Sequence, residues 1–327
     1  MSADRAARLG EPATGGREPT HVAHRGHALD AAENTLPAVR AAADIADAVE
    51  VDVRRCADDV VVVHDETVDR VTDATGPVAD FTAEELAALD VCDSGAGVPR
   101  FADVARAVPP DVGLQVELKE RGLVADVVEA LAAAGRLDPG EDGRGATRSA
   151  TAGGDLPPPA VLSSFDHGAL REARETAPAL PRSLIFDSRP TRALRVAVDL
   201  DCVAVHPPVA LCLGSGIPVP GVGRVALPAS IRRRVPDSGR TAGRRLRDGA
   251  RLVRAAGRRL PVAGDRLPTH RVAGLDPLVG DSLLAAARER DLAVNAWTVT
   301  DEAVAAALHA TGVDGLSVDG AAVVDPE

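Results

Sequence analysis

A closed barrel of eight parallel strands wrapped by helices is the α/β fold this sequence predicts, and three observations predict it. Short β-branched runs alternate with alanine-rich stretches of helical period along the chain. The runs number eight, the count that closes a parallel sheet into a (β/α)8 barrel of the TIM type. No glycine-rich phosphate loop follows the first run, which disfavours an open doubly wound sheet. A chain of 327 residues suits one such unit, and 45% hydrophobic residues supply its core. Aromatics are only 2%, so that core is built from Ala, Val and Leu.

The strands, in order, are THVAHRG from Thr20, AVEVDVRRC from Ala48, GLQVELK from Gly113 and AVLSSF from Ala160. RSLIFD from Arg182, DCVAVHP from Asp201, LAVNAWTV from Leu292 and VDGLSVD from Val313 follow. VVVVHD from Val60 reads as a short extension paired beside the second strand. Helical periods fall between them, in ENTLPAVRAAADIAD, RGLVADVVEALAAAG, HGALREARETA, SLLAAARERD and DEAVAAALHAT. The stretch GRLDPGEDGRGATRSATAGGDLPPP breaks the rhythm as a Gly/Pro-rich surface loop.

A second break is arginine-rich. Residues 214–275, between the sixth strand and the helix before the seventh, hold fourteen arginines against three aspartates. A chain of net charge −12 thus divides into a +11 segment and a −23 remainder. Few bulky apolar residues and scattered Pro and Gly predict a poorly ordered insertion. It follows a strand's C-terminal end, hence the catalytic face, where it could meet anionic lipid peripherally. Residues 1–19 lack an apolar core segment and read as a flexible tail rather than a secretory leader, leaving 20–327 as the barrel. No apolar run approaches the ~20 residues of a membrane helix, so a cytoplasmic location is expected. The acidic balance argues against general nucleic-acid binding. Cys56, Cys92, Cys202 and Cys212 show no paired or metal-knuckle spacing and read as buried reduced thiols. Nothing in the sequence sets the oligomeric state.

Charges stand where strands should be apolar. In VEVDV, Glu50 and Asp52 lie two apart and share a strand face; VELK repeats this with Glu117 and Lys119. Neighbouring buried carboxylates repel unless a cation joins them, and an all-oxygen set suits Mg2+ or Ca2+. Lys119 is the only lysine beside 36 arginines. VAHRGH ends the first strand on His24, Arg25 and Gly26, and His64 ends an apolar run. His24 and His64 could flank a scissile bond as acid and base, with Arg25 and Lys119 on phosphoryl oxygens. Together these groups describe phosphodiester cleavage.

The ordered set HRG, ENT, EVDV, HD, ELK and WTV resembles the glycerophosphodiester phosphodiesterase family, from about His21 to Asp319 and outside 214–275. The resemblance implies a barrel enzyme that hydrolyses small-molecule glycerophosphodiesters to glycerol phosphate and an alcohol with one divalent cation. It makes Glu50, Asp52 and Glu117 metal ligands, His24 and His64 the acid–base pair, and Arg25 and Lys119 phosphate ligands. Glu33 and Asn34 would steady the first loop, and Trp297 would line the pocket. Two departures stand out: Thr300 follows WTV where the family often has asparagine, and SVDG replaces the usual Thr/Asn–Pro turn of the last strand. His21 and His27 read as solvated neighbours of His24, Ser164 and Phe165 as a match to a strand-four motif of the family with Phe165 equally readable as core, and His206 as strand-end punctuation or a minor pocket residue. Two other readings stay open: a lysophospholipid or lipid phosphodiesterase at a membrane surface, and a non-catalytic binding protein on the same barrel.

Overall fold

The structure is a computed structural model that describes residues 18–137, 160–213, 216–219, 223–226 and 281–324. Its strands are β1 (Thr20–Ala23), β2 (Ala48–Arg55), β3 (Val60–Val62), β4 (Gly113–Leu118), β5 (Val161–Ser164), β6 (Arg182–Ile185), β7 (Ala204–His206), β8 (Gly216–Val219), β9 (Gly223–Ala226), β10 (Ala293–Val299) and β11 (Gly315–Val318). Eight of them hydrogen-bond in parallel in the order β1-β11-β10-β7-β6-β5-β4-β2, and β1 also pairs with β2, which closes the barrel. These are the eight predicted runs. β3 pairs antiparallel with the outer end of β2, as VVVVHD predicts.

The helices are α1 (Leu36–Ala43), α2 (Ala83–Ala87), α3 (Phe101–Ala107), α4 (Val124–Ala133), α5 (His167–Thr176), α6 (Pro190–Asp199), α7 (Val209–Leu213), α8 (Asp281–Arg288) and α9 (Glu302–Thr311). Their starts follow local chemistry. Thr35, Asp166 and Asp301 cap α1, α5 and α9 with side-chain oxygens, and Thr82 with Glu85 forms a reciprocal capping box on α2. Pro at the first turn of α1 and α6 uses a position where no N–H is needed.

Two apolar layers lie between strands and helices. One joins Val49, Val51 and Val53 of β2 to Val39, Phe101, Val104 and Val127; the other joins Leu184, Val205 and Val294 to Leu194, Leu283 and Leu308. Residues 56–98 carry a third cluster, including Val61, Val68, Val71, Val78 and Leu86, as a small lobe beside β3. The alternate residues of each strand face inward. There a plug of Val22, Ala48 and Val161 gives way to Gln115, Ser163, His206 and Asn295, all buried.

Some expectations meet different surroundings. His27 is buried rather than solvated, with its ring Nε2 2.9 Å from that of His21. Cys92 is exposed, while the other three cysteines are buried. Phe165 is 43% exposed instead of core. Within 214–275, β8 and β9 form an antiparallel ladder. The rest of that segment, residues 1–17 and residues 138–159 lie outside the described residues, and with them the expected tail, loop and lipid contact. Among the described residues no helix is long and apolar enough to cross a membrane.

Candidate active site

β1 stops at Ala23 because the next residues leave extended geometry. His24–Gly26 form a 3-10 turn, with Arg25 at φ 52 and Gly26 at φ 74. A Cβ on Gly26 would sit 3.0 Å from the backbone of Ala38 and Val39 in α1, so glycine is needed for that approach. The turn aims the Arg25 backbone N–H at Glu50 Oε2 (3.0 Å) and its guanidinium at Glu33 Oε1 (3.1 Å) and Asp52 Oδ2 (3.2 Å). Asn34, itself at φ 61, donates Nδ2 to Asp52 Oδ2 at 2.9 Å. The expected steadying residues Glu33 and Asn34 therefore touch the site directly.

Glu50 and Asp52 project inward from β2, and register places Asp52 opposite Glu117 of β4. One carboxylate oxygen from each of the three lies within 4.8 Å of the others, and all three residues are buried. Lys119 donates to Glu117 Oε1 at 2.7 Å and stands 3.3 Å from Asp52 Oδ1 without the alignment of a hydrogen bond. Glu50 Oε1 and Asp52 Oδ1 are buried with no hydrogen-bond partner. Burial, then the Asp52 charge, pushes the Glu50 carboxyl up to about 8. Burial also acts to raise Asp52, but Lys119 and Arg25 outweigh it and hold that carboxyl well below the usual range. Glu117 is raised by burial and by Asp52. Orphaned carboxylate oxygens converging in a closed site fit a hard divalent cation.

The two histidines flank this triad. His24 Nδ1 lies 2.6 Å from Asp319 Oδ1, and its Nε2 is 3.9 Å from Glu50 Oε2. His64 Nδ1 lies 2.6 Å from Asp65 Oδ1. Their surroundings drive them apart. Burial would lower His24, yet the hydrogen bond to Asp319 and the charge of Glu50 raise it. His64 is lowered by burial, with Arg25 and Lys119 adding to that and Asp52 opposing.

Trp297, in the C-terminal half of β10, donates Nε1–H to His206 O at 2.7 Å and meets Phe165 edge-on with ring centroids 5.5 Å apart. Beyond Phe165 lies a cleft of 260 Å³ lined in part by His167, Phe186, Asp187, Arg189 and Arg192. The structure thus gathers eight of the ten expected residues into one hydrogen-bonded or ion-paired mouth, with His64 near enough for the charges of Asp52, Arg25 and Lys119 to act on its ring and Trp297 on the wall. Asp319 and Asp65 are not among the residues expected from the sequence. Asp65 carried a signal, sitting beside His64 in the HD pair; Asp319 lay in the SVDG read as a departure.

The sequence model of the Glycerophosphoryl diester phosphodiesterase family matches residues 24–216. The chain belongs to this family. Membership makes it an enzyme, a phosphoric diester hydrolase. A glycerophosphodiester phosphodiesterase of Caldanaerobacter subterraneus subsp. tengcongensis is 30% identical over 195 residues, 57% of this chain and 74% of that one. Among solved structures, a phosphodiesterase of Oleispira antarctica in complex with the product sn-glycerol-3-phosphate superposes with a TM-score of 0.60 at 20% identity, covering 92% of this chain and 93% of that one. A putative glycerophosphoryl diester phosphodiesterase of Agrobacterium tumefaciens gives 0.61 at 16% identity, covering 93% and 94%. These two likenesses establish the shared barrel fold. The matched family segment contains every expected site residue except Trp297, and it omits Asp319.

Proposed function

We propose that this family member hydrolyses glycerophosphodiesters to glycerol phosphate and an alcohol, using a divalent cation and paired histidines. One observation carries the reading: two histidines, each backed at Nδ1 by an aspartate, flank a buried carboxylate triad with orphaned oxygens. Glu50, Asp52 and Glu117 would hold the cation. When bound, it supplies Lewis-acid polarisation of a phosphoryl oxygen. Arg25 and Lys119 bring a guanidinium and an ammonium to the same mouth, where they neutralise the phosphate's remaining charge. Asp319 and Asp65 accept Nδ1–H, which leaves each Nε2 free to give or take a proton. One imidazole takes a proton from the attacking water as its oxygen bonds to phosphorus, while the other protonates the departing alkoxide as its bond to phosphorus breaks. Phe165 and Trp297 wall the mouth toward the cleft, where a small alcohol group fits. The Oleispira product complex supports the substrate class.

The test is turnover on a panel of glycerophosphodiesters with and without chelator, product being scored as glycerol phosphate. Release of glycerol phosphate that stops with EDTA and returns with Mg2+ or Ca2+ is the expected result. Full turnover in excess EDTA would remove the cation from the mechanism, and no turnover on any member of the panel would remove the substrate class.

A further inference from the structure

The loop after β3 contains a residue that the hydrolytic reading leaves unused. In HDETVDRVTDATG, Val68 and Val71 are buried in the small lobe, with Val68 N–H bonded to Gly76 O at 3.0 Å and Thr72 N–H to Val68 O at 3.0 Å. Asp69 Oδ1 accepts the Gly76 N–H at 2.8 Å. Arg70 stands between these anchors, so the lobe's packing fixes where its side chain departs.

Its guanidinium makes three hydrogen bonds to two carboxylates. Nη1 and Nη2 donate to Glu33 Oε2 and Oε1 at 2.8 and 2.7 Å, and Nε donates to Asp65 Oδ2. Both carboxylates also serve site residues: Glu33 Oε1 accepts from Arg25 Nη1, and Asp65 Oδ1 faces His64 Nδ1. One rigid fork thus ties the loop after β1 to the loop after β3. Arg70 is 48% exposed in its side chain, and such a pair contributes little to stability. What a planar, bidentate fork supplies is orientation.

We propose that Arg70 is a positioning residue of the hydrolytic site: anchored on Glu33, it holds Asp65 against His64 Nδ1 and so keeps Nε2 of that ring free for proton transfer. The inference rests on His64 being a proton-transfer group, as above. With Asp65 released, the neutral ring loses the acceptor that selects the Nδ1–H tautomer, and part of the population carries its proton on Nε2 instead.

Steady-state kinetics on a soluble glycerophosphodiester, with Arg70→Gln, Arg70→Lys, Asp65→Asn and the Arg70→Gln/Asp65→Asn pair, test it. Nitrogen-15 NMR of the imidazoles reads the His64 tautomer directly. Arg70→Gln should lower kcat about 10- to 100-fold, the usual effect of losing an outer partner, with KM moved by less than about threefold because ground-state binding is kept. The double variant should be no slower than Asp65→Asn alone, since Arg70 acts through Asp65. His64 in Arg70→Gln should gain the Nε2–H signature. Arg70→Lys keeps the charge, loses the fork, and should fall between; it carries the same test if the glutamine variant does not fold. Wild-type kcat in Arg70→Gln, an unchanged His64 tautomer, or an equal further loss in the Asp65→Asn background would overturn the proposal. Should His64→Ala retain turnover, the paired-histidine reading falls instead, and the tautomer measurement still decides the clamp.

Discussion

Two aspartates far apart in the chain do the same thing to two histidines. Asp319, 295 residues from His24, and Asp65, adjacent to His64, each meet Nδ1 at 2.6 Å. Asp319→Asn can still reach the ring but no longer stabilises the charged imidazolium, so kcat should fall about 10- to 100-fold. A stopped assay on glycerophosphodiester would read this, and an unchanged kcat would mean that His24 needs no such partner. Glu50→Gln should reduce turnover to background and weaken cation affinity, measured by calorimetric titration, because it removes one charged donor from a set of three. Undiminished affinity would place the cation elsewhere. The ligand carboxylates were legible because Glu50, Asp52 and Glu117 interrupt strands that are otherwise apolar. Asp319 was not, since the contact it makes depends on β1 and β11 being neighbours in a closed sheet. Arg70 carried no sequence mark either, being one of 36 arginines.

Among the elements, strands declared themselves better than what surrounds them. Each of the eight parallel strands places Val, Leu or Ala in the layer between sheet and helices, because a strand covered on its outer face by helices must be apolar there. The inner face is different, and this is where the sequence reading of His206 stopped short. Its ring lies 3.3 Å from Gln115 Nε2 on one side and 3.3 Å from Asn295 Nδ2 on the other, inside the barrel. Burial pushes this imidazole down to about 4, so the folded protein holds it neutral. A histidine depressed in this way contributes stability that is complete above its unfolded pKa near 6.5 and is lost as pH falls toward 4. The full contribution is about 3 kcal/mol, at about 1.4 kcal/mol per unit. Urea midpoints of wild type and His206→Gln, measured from pH 7 to pH 4.5, should therefore converge as pH falls. A constant gap would mean that His206 is not kept neutral by the fold. Arg136 and Arg182 were equally unmarked. Both are buried and donate to backbone carbonyls, Arg136 to those of Ala105, Val108, Pro109 and Val112, Arg182 to those of Pro178, Leu180, Leu200 and Asp201. In an arginine-rich sequence nothing separates such a carbonyl clamp from a surface charge.

At the scale of the whole molecule, closure needs only that β1 and β2 meet, and every contact that makes the mouth comes from strands or from the loops leaving their C-terminal ends. The arginine-rich segment enters between β7 and β10, which pair directly with each other through Ala204–Ala293 and Val205–Val294. On either side of it, Leu213 of α7 and Leu283 of α8 are buried in one apolar cluster, so the chain returns close to where it left. Closing a long loop there costs an entropy that grows only as the logarithm of its length, and shortening it relieves a little of that cost. Among the described residues none of the groups assigned to the mouth comes from within 214–280. Replacing residues 228–278 with about a dozen Gly and Ser residues, a linker that spans roughly 20 Å on average, should leave a folded enzyme. Its circular dichroism should retain the barrel signal, and kcat on a small soluble glycerophosphodiester should stay within about threefold of wild type, a change of less than 1 kcal/mol in barrier height. Loss of the fold would show that the excised residues complete the layer around Leu213 and Leu283. A folded variant with unchanged cation affinity but a much larger KM would instead assign them a surface over the mouth, reached by substrate on its way to Arg25 and Lys119.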